Sequence, residues 1–76
     1  MTLVDVEGSL VDLLYEAADQ DTSPWRLAAL ADDPHPDVRM AVATNPSAPS
    51  LTLLRLRGDV NPRIQVVLAA RFGASR

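Results

Sequence analysis

Apolar residues recur along this chain at the spacing of helix faces. Leu10, Leu13, Leu14 and Ala17 fall at intervals of three and four, as do Val38, Ala41 and Val42, and again Ile64, Val67 and Leu68, the pattern of a helix that buries one side. The segment holding Leu51, Leu53, Leu54 and Leu56 is apolar nearly all round, apart from Thr52, Arg55 and Arg57, which predicts a helix sandwiched between layers. Start signals frame these segments. Ser9 followed by Asp12 reads as a capping box, whose side-chain oxygens satisfy first-turn amides. Ser23-Pro24 and Asn61-Pro62 set a capping side chain before a proline at the first helical position, where a missing amide proton costs nothing. Pro36 and Pro49 predict the same. Asn45-Pro46 blocks continuation, and Gly58 and Gly73 are placed to end helices in the left-handed conformation. The chain is therefore expected to be all-α, with five short helices near 9–19, 24–31, 36–44, 49–57 and 62–72.

The pattern repeats. At a shift of 26, Leu27, Leu30, Asp33, Pro36, Val38 and Ala43 fall on Leu53, Leu56, Asp59, Pro62, Ile64 and Ala69. At a shift of 25, Leu13, Ala18 and Pro24 fall on Val38, Ala43 and Pro49. Such self-similarity marks a stack of supersecondary units, here about two and a half: a half-repeat over 9–22, then repeats over 23–47 and 48–73, in a single domain over 1–76. Within it Trp25 falls on Leu51, which predicts burial.

Asp37-Val38-Arg39-Met40-Ala41-Val42-Ala43-Thr44-Asn45-Pro46-Ser47-Ala48-Pro49, followed by Leu54 and Asp59, resembles the variant leucine-rich repeat, whose units read V-R-x-x-V-A-x-N-P-x-x-P. The C-terminal unit departs from it, with Gln65 in place of Arg39 and Arg71-Phe72 in place of Asn-Pro; the N-terminal half-unit matches weakly. The resemblance implies a short right-handed α-α superhelix (solenoid) of α and 3₁₀ helices, related in logic to HEAT repeats. It also implies that Arg39 bonds to an acid or a carbonyl of the neighbouring repeat. Some members carry an iron–sulfur cluster on a cysteine-bearing N-terminal segment; this chain has no cysteine, so no cofactor is carried over.

Composition narrows the function classes. With 76 residues the share of surface buried on folding is small, so a thin stability margin is expected. The apolar runs are too short to span a bilayer, and Asp5 and Glu7 stand where a secretory leader needs basic residues. A cytoplasmic location is expected, or a virion if a phage encodes the chain, since all seven basic residues are arginine, as codons from a GC-rich bacterium or its virus would give. The net charge of −3 is unevenly spread: residues 1–37 hold nine acids against Arg26, and residues 38–76 hold six arginines against Asp59. The lone His35 sits among Asp32, Asp33 and Asp37 in a proline-bound turn, where the acids are explained as caps and helix-dipole partners. One histidine, no cysteine and serines confined to caps and turns supply no reaction chemistry, so neither an enzyme nor a metal site is expected.

What remains is binding. Repeat arrays need about three units and polar end caps, and this chain has fewer. The candidate interaction surface is Arg39, Arg55, Arg57, Arg63 and Arg71 with Val66 and Phe72. The expected partner is another protein, or the acidic half of a second copy in head-to-tail fashion. Nucleic-acid binding through the arginines is an alternative, weakened by the acidic balance and few aromatics; a structural component of a phage particle or other large assembly is a third.

Overall fold

A computed structural model describes the backbone of residues 2–73 and the side chains of residues 10–73. Five helices follow one another: α1 (Thr2–Ala18), α2 (Pro24–Leu30), α3 (Pro36–Thr44), α4 (Ser50–Leu56) and α5 (Pro62–Gly73), with no strand among the described residues. Helices α1, α3 and α5 lie side by side in one layer. Helices α2 and α4 form the second, α2 against α1 and α3, α4 against α3 and α5. This is a small all-α, solenoid-like stack.

Most boundaries follow the prolines. Ser23 caps α2, its Oγ accepting from the Arg26 amide at 3.3 Å, and Asn61 Oδ1 accepts from the Arg63 amide at 2.9 Å at the start of α5. Three expectations fail. The first helix runs back through Ser9 to Thr2, because no proline precedes Pro24 and a single glycine does not stop a helix; Ser9 is thus no N-cap, and its side chain lies outside the described residues. Pro49 sits one position before α4 and not in its first turn. Neither Gly58 nor Gly73 is left-handed: α4 tightens instead, the Arg57 amide donating to both Leu53 and Leu54 and the Gly58 amide to Arg55.

The core runs through both layers. Ala17, Leu27, Val38, Val42, Ala43, Ile64 and Leu68 are fully buried, joined by Leu30, Ala31, Ala48, Leu53 and Leu56. Leu10, Leu13, Leu14, Ala41 and Val67 are packed against them but only partly covered.

Two burial expectations are overturned together. Trp25 is 78% exposed and its repeat counterpart Leu51 is 77% exposed. Both stand two residues before a buried leucine, Leu27 or Leu53, which on a helix turns the side chain about 200° away, onto the opposite side. For the same reason α4 is not sandwiched: Thr52, Leu53 and Leu56 face inward, while Leu54 and Leu51 face outward. Trp25→Ala is therefore expected to shift the urea midpoint very little, within about 0.5 kcal/mol, as for surface positions generally.

Candidate interaction surface

The units are locked by a hydrogen-bond pattern that recurs along the chain. Asn45 Nδ2 donates to the carbonyls of Ala17 at 2.8 Å and Asp19 at 3.0 Å, 28 and 26 residues earlier. Arg71 Nη1 donates to the carbonyls of Ala43 at 2.6 Å and Asn45 at 3.0 Å, again 28 and 26 residues earlier. Each bond holds carbonyls left over at the end of a helix in the preceding unit. The departure from the repeat pattern at Arg71 is thus a substitution that keeps the job. These bonds also correct the register of the N-terminal half-unit. Ala17, not Ala18, corresponds to Ala43, so the period is 26 throughout; the recurrence of Ala17, Ala43 and Ala69 at that spacing was the sequence signal for it. Arg71→Ala is expected to cost about 1 kcal/mol, read from the thermal midpoint, a charged donor at a partly exposed site being worth less than a buried one.

A second lock crosses between turns. Arg39 holds Asp59 through two bonds, Nε to Oδ2 at 2.7 Å and Nη2 to Oδ1 at 3.2 Å, and Nη1 reaches the carbonyls of Asp33 at 2.8 Å and Pro34 at 3.1 Å. The pair is largely buried, with side chains 14% and 8% exposed. Gln65, in the equivalent place, keeps only the bond within its own unit, donating to the Asp59 carbonyl.

The other candidates divide by what they touch. Arg55 pairs with Asp32 across the surface, and Arg26 with Glu16. Arg57 lies over the Phe72 ring, 5.2 Å from its centroid, a cation–π contact. Among the described residues no carboxylate lies within ion-pair distance of Arg57, Arg63 or Arg71. Arg63, Val66 and Phe72 lie on α5 and Arg57 directly follows α4, whereas Arg39 and Arg71 bond between units and Arg55 pairs with Asp32 at the surface.

Three carboxylates titrate below their ordinary range. Glu16 is lowered by its hydrogen bond from Arg26, and Asp33 by the backbone amide of His35. At Asp59 burial pushes the pKa up, but the Arg39 bond, the Asn61 amide and the Arg39 charge outweigh it and leave it lowered. Stability from these groups is complete above the unfolded carboxylate range, about pH 4, and is lost as pH falls through the lower folded values. The urea midpoint should hold from neutrality to about pH 5 and decline below about pH 4. His35 Nδ1 meets Asp33 Oδ1 at 3.0 Å in an exposed turn, and among the described residues no three His, Cys, Asp or Glu side chains converge as metal ligands.

With the period set at 26, equivalent positions can be compared for burial. Ala17 and Ala43 are fully buried, but Ala69 is exposed. Leu14 and Met40 are half-buried, while Val66 is 67% exposed. Leu13 and Arg39 are half-buried; Gln65 is exposed. Helix α1 packs against α3, and α3 against α5. On α5, the last helix described, Val66 and Ala69 are exposed instead, and with them Ala70 and Gly73, whose counterparts Thr44 and Ser47 are exposed as well, make an outward apolar strip. Sequence reasoning found Val66 but missed the alanines, because no periodic apolar stripe distinguishes a contact alanine from a helix-favouring one.

The profile of the Leucine Rich Repeat Variant domain matches residues 12–72. No curated protein and no solved structure matches the chain.

Proposed function

The chain belongs to the leucine rich repeat variant family, and from that premise we propose that it is a non-catalytic module that binds another protein, with the outward strip of α5 as its contact surface. The observation that carries this reading is the change in burial along equivalent positions: Ala17 and Ala43 are fully buried, and Ala69 is exposed. A contiguous apolar strip of this kind on the surface is a common mark of an interaction site. In a repeat array it is also the side to which the next layer is added. A role within a larger assembly is compatible with this.

The nucleic-acid reading is weaker. Arg39 and Arg55 are committed to carboxylates and Arg71 to carbonyls, which leaves Arg57 and Arg63 to meet phosphates on a chain of net charge −3. A gel shift with DNA or RNA that Arg57→Glu with Arg63→Glu abolishes would reverse the order.

Extracts of the native cells test the proposal by gel filtration of the tagged chain. Wild type should elute in a complex above its own mass, Val66→Asp as a monomer with unchanged melting, and Arg55→Ala like wild type. Retention of the complex by a folded Val66→Asp chain would remove the α5 strip from the interface.

A further inference from the structure

We infer that the occupant of the α5 strip is the outer side of α1 from a second copy, so that the chain associates head to tail. This rests on the preceding reading and names its partner. It follows from comparing the two ends of the α1–α3–α5 layer.

At the α5 end the apolar strip is flanked by arginines. On a helical projection of about 100° per residue, Val66, Ala69, Ala70 and Gly73 share one face, with Arg63 at one edge and Phe72 beyond the other. The Phe72 ring carries the Arg57 guanidinium. Neither arginine meets a carboxylate among the described residues.

The α1 end is its counterpart. Val11 is 48% exposed and Tyr15 is 74% exposed; with exposed Ala18 they make an apolar stripe at positions i, i+4 and i+7. The exposed Asp12 and Asp19 run along one edge of that stripe, and neither forms an ion pair among the described residues. Tyr15 occupies the position that is Ala41 in α3 and Val67 in α5, both half-buried and packed against the core. Each end thus offers an apolar centre with charge at its edge, and the signs are opposite. The carboxylates Asp12 and Glu16 replace the buried Val38 and Val42 of the next unit, so a second copy does not extend the internal packing as another identical layer. It docks instead through the Val11–Tyr15–Ala18 stripe, with Asp12 and Asp19 directed at the arginines. Such an interface joins different surfaces on the two copies, and it propagates unless it is blocked.

The purified chain tests this by sedimentation velocity. Mass should rise with concentration above that of the monomer, and association should weaken as salt screens the edge charges. Tyr15→Asp blocks the head and Val66→Asp the tail; each alone should be monomeric. Mixed, they retain one intact head and one intact tail, so they should form a one-to-one dimer and nothing larger. A wild-type monomer at every concentration overturns the inference, as does self-association by either variant alone or a mixture that stays monomeric while wild type associates. Should either aspartate unfold the chain, single cysteines at 15 and 66 decide, because the described chain has no cysteine background. A mixed 15–66 disulfide between copies is required; 15–15 or 66–66 links, or none, overturn it. If wild type is monomeric when pure but complexed in extracts, a different protein fills the strip, and only the self-association is lost.

Discussion

Replacing Asn45 with alanine is expected to destabilise the chain by about 3 kcal/mol, because it orphans the Ala17 carbonyl and the Ser47 amide and takes from the Asp19 carbonyl one of its two partners, the other being the Thr22 amide, an unpaired buried group costing about 1–3 kcal/mol. The side chain is 2% exposed. Its Nδ2 holds the Ala17 and Asp19 carbonyls, and its Oδ1 accepts from the Ser47 amide at 2.8 Å. One residue therefore closes the end of α1, fixes the turn after α3 and ties the two together. At roughly 4–8 °C of melting temperature per kcal/mol for a domain of this size, the loss amounts to roughly 12–24 °C. Asn45→Asp should be worse, since it sets carboxylate oxygens against two carbonyls. A thermal midpoint for Asn45→Ala within a few degrees of wild type would mean that the link does not hold the units together.

Asp59→Ala is expected to cost about 3 kcal/mol as well, for a different reason. It leaves the Arg39 guanidinium buried without its counter-charge, and breaking one side of a buried pair is far more costly than the pair's net worth. The same substitution removes the acceptor for the Asn61 amide at 2.9 Å, loosening the entry to α5. Arg39→Gln is the informative companion, since Gln65 already occupies the equivalent place in the next unit without a carboxylate partner. In the Asp59→Ala background Arg39→Gln should recover part of the loss, measured as the coupling in a double-mutant cycle. Full additivity of the two changes would show that the pair carries no linkage between turns.

The helices were readable because their signals are local. Pro24, Pro36 and Pro62 place three starts to the residue, two of them capped by Ser23 and Asn61 while His35 caps nothing before Pro36, and Asn45-Pro46 ends α3 as expected. The resemblance also led correctly to Arg39, which bonds both to an acid of the next turn and to carbonyls of its own. What was hidden depends on stacking. The pairings of Arg39 with Asp59 and of Arg55 with Asp32 span 20 and 23 residues, and no charge count along the chain reveals which arginines will be spent internally. Trp25 misled for a related reason: a shared repeat position implies a shared environment, but not which environment, and here both Trp25 and Leu51 face solvent. The N-terminal register slipped by one residue because Ala17 and Ala18 are chemically identical, and only the carbonyls held by Asn45 tell them apart.

That comparison also separates the two exposed apolar regions. Trp25 and Leu51 are exposed equally in successive units, as expected of the outer face of the array. Val66 and Ala69 are exposed where their counterparts are covered, and this difference is what assigns docking to α5. A photo-crosslinking residue placed at position 66 or at position 25, in the chain expressed in its native cells, tests the assignment directly. Position 66 should give a defined protein adduct by mass spectrometry while position 25 stays unreacted; adducts concentrated at position 25, with none at 66, would contradict it.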